Sequence, residues 1–279
     1  MTASRSILIT GCSSGIGHHA AHALRARGWR VFASARRIED VSRLRAEGFE
    51  AVLLDVADSH SIETAVQWLD GVTGGRLDAL YNNAGFGVPG AVEDLSREAM
   101  RHQFETNVFG SIELTNAILP WMRRQGHGRI VFNSSVLGFA AMPARGAYNA
   151  SKFALEGFAD TLRLELAGTG IETILIEPGP IESAFRVNAA REFATWVAPV
   201  QRGVHAALYA SMQDRLAKPG PSSRFTLSPA ATSQALIHAV ESRRPAIRYR
   251  VTFPTRLFWW LKRLLPTRWL DLLLRKAGG

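Results

Sequence analysis

Tyr148 and Lys152 stand four residues apart in Tyr148-Asn-Ala-Ser-Lys152. On a helix this spacing sets phenol and ammonium one turn apart on a single face. A phenol with its ordinary pKa near ~10 gives up its proton slowly at neutral pH, and a fixed cation beside it lowers the cost of the phenolate. Such a pair can hand a proton to a carbonyl oxygen as hydride arrives, or take one from an alcohol in the reverse direction. A Tyr/Lys pair is also a common feature of exposed helices, so the chemistry depends on what the rest of the chain brings to it.

A second chemical signal lies near the N-terminus. The apolar run Ile7-Leu-Ile-Thr10 leads into Gly11-Cys-Ser-Ser-Gly15-Ile-Gly17 and then into His18-His-Ala-Ala-His-Ala-Leu-Arg25, which has helical character. Glycines let a backbone turn sharply and approach a pyrophosphate, and a helix N-terminus offers unpaired N–H groups to the anion. The spacing is GxxxGxG, and an ordinary glycine-rich strand-to-helix turn is the competing reading. The next apolar run, Arg30 to Ala35, ends at Arg36-Arg37. A carboxylate there would accept hydrogen bonds from the adenosine ribose of NAD, whereas a guanidinium suits the extra phosphate of NADP. NADP (NADPH) is therefore expected over NAD, against the alternative that the arginines pair on the surface with Glu39 and Asp40.

Apolar runs of strand length recur at 6 to 10, 30 to 35, 50 to 54, 78 to 81, 129 to 133 and 171 to 176, with longer helix-period segments between them. A last strand is expected at about 246 to 251, after a helix opening near Ser228-Pro229. Strands alternating with helices predict an α/β fold, a doubly wound parallel sheet (Rossmann-like) flanked by helices. The expected organisation is one domain over 1–253, with 254–279 as its helical C-terminal extension. In a chain of 279 residues with 47% hydrophobic content, one sizeable core suffices. Cys12 is the only cysteine, which excludes an intrachain disulfide and fits a cytoplasmic setting. The apolar stretch Ser6 to Thr10 that follows Met1-Thr-Ala-Ser-Arg is far too short for a signal peptide or a membrane span, so neither is expected.

Formal charge is +9, and residues 243–279 hold ten Lys/Arg against one acid, Asp271. The charge belongs to one segment rather than coating the molecule, so nucleic acid is not an expected partner. In that tail Leu257, Trp260, Leu261, Leu264 and Leu265 follow helical spacing, Pro266 breaks the helix, and Trp269 to Lys276 is again apolar and basic. Charges interrupt any membrane-length apolar span, so the tail is read as peripheral to a membrane or else as packed on the body, over the substrate mouth or in a dimer. His18 and His22 are read as a helix face, with no metal expected, and Cys12 as a small packed side chain.

The order of motifs Thr10-Gly-Cys-Ser-Ser-Gly-Ile-Gly17, Asp55-Val56, Asn82-Asn-Ala-Gly85, Asn107, Asn133-Ser-Ser135, Tyr148-Asn-Ala-Ser-Lys152 and Pro178-Gly-Pro180 resembles the single-domain branch of the short-chain dehydrogenase/reductase family over residues 5 to about 251. The stretch from Tyr148 is similar to hydroxysteroid and retinol dehydrogenases. The resemblance implies an oxidoreductase with a catalytic set of Asn107, Ser135, Tyr148 and Lys152. Ser135 would hydrogen-bond the substrate oxygen, Lys152 would bind the nicotinamide ribose and tune Tyr148, and Asn107 would hold a water that relays protons. Gly11, Ser13, Ser14, Gly15, Ile16 and Gly17 would form the phosphate loop, with Arg36 beside it. Asp55 and Val56 would meet the adenine, and Asn83, Ala84 and Gly85 the adenosine side. Pro178, Gly179, Ile181 and Ser183 would reach the nicotinamide, Ser183 keeping the hydroxyl of the family's usual threonine.

The expected substrate is a small hydrophobic carbonyl compound or alcohol, bound by segments 86–89 and 137–142 and by Phe185, Phe193, Trp196, Tyr209 and Met212, unless these are core. A homo-oligomer is expected. The rival readings are an NADP-binding sensor without turnover and a membrane-associated scaffold; intact Ser135, Tyr148 and Lys152 argue against the first.

Overall fold

Alternate residues of the first strand supply two cores. Ile7 and Ile9 enter one apolar cluster and Leu8 the other, each buried, as the two-residue period of a strand demands when both faces of its sheet are covered. The computed structural model describes residues 4–200, 202–221 and 223–278. In chain order its elements are β1 (Ser6–Ile9), α1 (Gly15–Arg25), β2 (Arg30–Ala35), α2 (Ile38–Ala46), β3 (Glu50–Leu53), α3 (Ser59–Thr73), β4 (Ala79–Asn82), α4 (Arg97–Phe104), α5 (Gly110–Gln125), β5 (Gly128–Asn133), α6 (Gly146–Glu165), β6 (Ile171–Glu177), α7 (Phe185–Trp196), α8 (Ala206–Ala217), α9 (Pro229–Glu241), β7 (Arg248–Arg250), α10 (Phe253–Leu264) and α11 (Thr267–Gly278).

The strands form one parallel sheet in the order β3-β2-β1-β4-β5-β6-β7, the expected doubly wound, Rossmann-like arrangement. One face is covered by α1, α2 and α9 through Leu24, Leu44 and Leu236, the other by α3, α5 and α6 through Leu69, Ile118 and Leu155. Each such side chain contributes about 1.5–3 kcal/mol by leaving water. The chain runs outward in both directions from the β1/β4 pair, so the crevice at the carboxyl ends of those strands is where this topology receives a ligand.

The last strand is shorter than the expected 246 to 251. Only Arg248, Tyr249 and Arg250 pair with β6, and the strand is held by charge as well as by apolar burial. Arg248 Nε and Arg250 Nε each lie 3.1 Å from the buried Glu177 carboxylate, while Arg248 also reaches Glu156 at 3.0 Å and Asp160 at 2.7 Å. Burial, helped by the nearby Glu156, pushes the Glu177 carboxyl up to about 7 despite both arginines.

The tail stripe read from the sequence is divided between two environments. Leu261 and Leu265 turn inward with Phe258, Leu270 and Leu274 and pack against Val136, Leu137, Ala140 and Tyr148, whereas Leu257, Trp260 and Leu264 stay exposed. Among the described residues no helix is long and apolar enough to cross a membrane.

Candidate active site

The phosphate loop is built by close backbone approach. A Cβ on Gly17 would stand 2.4 Å from the Gly11 carbonyl oxygen and 2.5 Å from Asn83 Nδ2, so only glycine lets α1 start this near β1. Gly15 takes a φ of 60°, and a Cβ there would meet the Ser183 side chain at 3.0 Å, bringing the loop after β6 to the rim of the phosphate loop. Ser14 occupies the N-cap of α1 without a side-chain cap, and the first turn holds no acid. The N–H groups of that turn are left for an anion. Gly17→Ala is expected to cost about 2 kcal/mol of stability through overpacking and to weaken nicotinamide dinucleotide binding more than tenfold; thermal melts and a cofactor titration check both.

A hydrogen-bonded chain ties this loop to the catalytic helix. Thr10 Oγ1 accepts the N–H groups of Asn83 and Ala84, both at 2.9 Å, and Asn83 Nδ2 donates to the Thr10 carbonyl at 2.8 Å. Asn133 Nδ2 donates to Asn83 Oδ1 at 3.1 Å, and Lys152 Nζ donates to the Asn133 carbonyl at 2.6 Å. Lys152 lies 5.7 Å from the centroid of the Tyr148 ring. Ser135, at the end of β5, hydrogen-bonds the Tyr148 hydroxyl and accepts from Leu137 N at 3.1 Å. Ser135, Tyr148 and Lys152 are thus brought together, Ser135 and Lys152 buried and Tyr148 partly so.

Asn107 falls in a π-helical segment, Glu105–Phe109, between α4 and α5, a local widening that often marks functional positions. Its Oδ1 accepts Phe86 N at 3.1 Å, and its Nδ2 donates to the Phe86 carbonyl at 3.0 Å and to Ser151 Oγ at 3.1 Å. The side chain fastens the 85–86 backbone to α6, with both amide donors used.

Burial controls the two titrating groups. It pushes the Tyr148 phenol up to about 12, against the lowering effect of the Ser135 hydrogen bond. It pulls the Lys152 ammonium down to about 8, against the stabilising charge of Glu156 one turn on. Tyr148 therefore holds its proton at neutral pH, the state a donor to a carbonyl oxygen needs.

These groups open into a cleft of about 1030 Å³. Every cofactor residue expected from the sequence lines it except Gly17, whose part is to hold the loop: Gly11, Ser13, Ser14, Gly15, Ile16, Arg36, Asp55, Val56, Asn83, Ala84, Gly85, Tyr148, Lys152, Pro178, Gly179, Ile181 and Ser183. Among the described residues Arg36 forms no ion pair with Glu39 or Asp40; Asp40 is held by Arg43 at 2.8 Å instead. Arg43 was not legible as part of the site, yet its Nη2 donates to the Ser13 carbonyl at 2.6 Å. A helical arginine in a charged run carries no signal of its own; Thr10 and Asn133 stand in the motifs quoted above, but the bonds by which they bridge elements exist only in the folded chain.

On the substrate side Phe185 stacks edge-on to Tyr148 with ring centroids 5.3 Å apart, and Val136, Leu137 and Met142 add apolar wall. Phe193, Tyr209 and Met212 do not reach the cleft: they are buried with Phe86 and Val88 in a separate core, against which Trp196 packs. The Tyr209 hydroxyl is used there, donating to Asp94 at 2.5 Å.

Cys12 is buried in the loop and donates to the Ile9 carbonyl, with its thiol pushed up to about 12 by burial. His18 and His22 share one oxygen of Glu47, at 2.7 and 2.9 Å, beside Arg25 and Arg43.

A doubly wound parallel sheet whose cleft is lined both by a glycine-rich strand-to-helix loop and by Ser135, Tyr148 and Lys152 is the arrangement of a nucleotide-binding α/β fold with an acid/base group at its ligand crevice. The short chain dehydrogenase family model matches residues 5–193, and the chain belongs to that family, whose members bind nicotinamide cofactors and act on CH–OH groups. It is 42% identical over 271 residues to "Uncharacterized oxidoreductase YbbO" of Escherichia coli (strain K12), covering 97% of this chain and 94% of that protein. It is 36% identical over 261 residues to retinol dehydrogenase 8 of Bos taurus, covering 89% and 81%. Among solved structures, a short-chain dehydrogenase from Streptomyces avermitilis superposes with a TM-score of 0.78 at 29% identity, covering 94% of this chain and 93% of that one.

Proposed function

We propose that the protein interconverts a hydrophobic ketone or aldehyde and its alcohol with NADP(H), Tyr148 acting as general acid/base. The observation that carries the reading is the convergence of Ser135, Tyr148 and Lys152 at one end of a cleft whose other end offers Arg36 and the uncapped start of α1. The glycine cradle and this uncapped helix fit a pyrophosphate, and Arg36, which lines the cleft, fits a ribose phosphate. Nicotinamide bound there supplies or accepts the hydride.

In the reducing direction the Tyr148 hydroxyl donates its proton to the substrate oxygen, and the Ser135 hydroxyl hydrogen-bonds the same oxygen as negative charge develops. Lys152, fixed by the Asn133 carbonyl, puts a positive charge beside the phenolate that results and binds the nicotinamide ribose. Asn107 acts by holding the Phe86 backbone on the substrate side. Val136, Leu137, Met142 and Phe185 favour an apolar substrate.

The test follows oxidation of NADPH and NADH across apolar ketones and aldehydes. Turnover preferring NADPH supports the reading, and tight cofactor binding with no turnover across the panel supports a nucleotide sensor instead. Arg36→Ala is expected to weaken NADPH about tenfold or more, the loss of one charge-assisted contact, and NADH less than about twofold. Equal losses for the two cofactors would remove the ground for NADP.

A further inference from the structure

The tail helices are apolar on two sides. Their inner side is anchored, Leu261, Leu265, Leu270 and Leu274 packing on the Val136–Ala140 segment. On the outer side Phe253, Leu257, Trp260 and Leu264 follow one another at four, three and four residues, which draws a single stripe along α10; Trp269, Leu272 and Leu273 extend the apolar surface on α11. Trp260, Leu264 and Trp269 are 56%, 71% and 64% exposed. Exposed large apolar side chains this dense need an occupant.

Charge selects the occupant. Six Lys/Arg lie in 253–278 against Asp271 alone, and none forms an ion pair with a carboxylate among the described residues. Lys262 bonds the Phe139 carbonyl, and Arg263 lies over the Trp259 ring. A second copy meeting the same surface would set this positive field against itself, whereas phosphate headgroups complement it. Tryptophans beside cations above an apolar stripe match the boundary between headgroups and acyl chains, and neither helix is long enough to cross.

We propose that α10 and α11 together form a docking surface for an anionic lipid bilayer. Phe253, Leu257 and Phe258 also line the catalytic cleft, so docking sets the mouth of the cleft at the lipid surface. An apolar substrate dissolved in the bilayer then reaches Tyr148 with little passage through water, a consequence that rests on the catalytic reading above.

The test floats the full-length protein with vesicles of phosphatidylcholine, with and without phosphatidylglycerol, at low and high salt. Wild type should partition onto the anionic vesicles at least about tenfold more than onto phosphatidylcholine alone, and should come off at high salt. Trp260→Ser combined with Leu264→Ser and Trp269→Ser should lower partitioning by about tenfold or more while leaving Tm and NADPH affinity near wild type, since the three side chains are exposed. Absence of partitioning, equal partitioning of the triple variant, or conversion of a dimer to a monomer by that variant without any vesicle binding would overturn the proposal, the last showing a subunit contact instead. Flotation requires no turnover, so its failure is separate from a failure of the catalytic reading.

Discussion

Tyr148→Phe is expected to lower turnover of a carbonyl substrate by a factor of about 10³ while NADPH affinity stays within about threefold, the scale on which a positioned proton donor acts. The substitution removes only the hydroxyl. The ring keeps its edge contact with Phe185 and its place near Lys152, so the cleft and its cofactor-binding walls are retained. What is lost is the proton at the substrate oxygen, and Ser135 alone cannot replace it because its hydroxyl stabilises charge without supplying a comparable acid. The pH profile of kcat/KM for reduction adds a sign to the argument. The phenol, pushed up to about 12, remains protonated throughout the accessible range, while Lys152 loses its charge above about 8. Reduction should therefore be level below about pH 8 and fall above it as the cation beside the developing phenolate disappears. Single-turnover absorbance measurements on wild type and variant check both outcomes, and a variant retaining a tenth of wild-type turnover would contradict the assignment of Tyr148 as the donor.

The parts of this site that were legible in the sequence are those whose chemistry is local. A buried parallel strand must be a continuous apolar run, and β1 to β6 could be placed from that alone. The phosphate loop follows from glycines between a strand and a helix, and the Tyr148/Lys152 pair from helical spacing. What escaped depends on where distant elements meet. The Asn83–Asn133–Lys152 chain joins three elements that share no sequence neighbourhood, and Arg43 reaches Ser13 across thirty positions. Phe193, Tyr209 and Met212 carry the composition of a substrate wall, yet the packing of α7 against α8 turns them into core. The tail shows the same limit: periodicity identifies an amphipathic helix but not that Leu261 turns inward while Trp260, its immediate neighbour, faces out.

Lys152→Met separates function from stability at the same position, since the residue that the chemistry requires is one that the fold would be better without. The ammonium is buried and its pKa is drawn from 10.5 down to about 8, so the folded state binds this proton less tightly than the unfolded chain does. At pH 7 both states are protonated and the full penalty applies, roughly 3 kcal/mol for a shift of this size. As pH rises from about 8 toward 10.5 the folded protein sheds the proton first, and the penalty fades. Methionine has similar length and no charge to desolvate, but it leaves the Asn133 carbonyl without its Lys152 partner, which returns about 1–2 kcal/mol. The net expectation is a variant more stable than wild type at pH 7 by about 1–2 kcal/mol, a rise in Tm of roughly 2–8 °C, with the advantage shrinking as pH approaches 10. Turnover should fall by about 10² or more, because the cation beside the Tyr148 phenolate is gone. Thermal melts at pH 7 and near pH 10, set beside an NADPH oxidation assay, test the two claims together. A variant that is inactive and also less stable at pH 7 would show that the Asn133 hydrogen bond outweighs the cost of burying the charge, and that Lys152 serves the fold as well as the reaction.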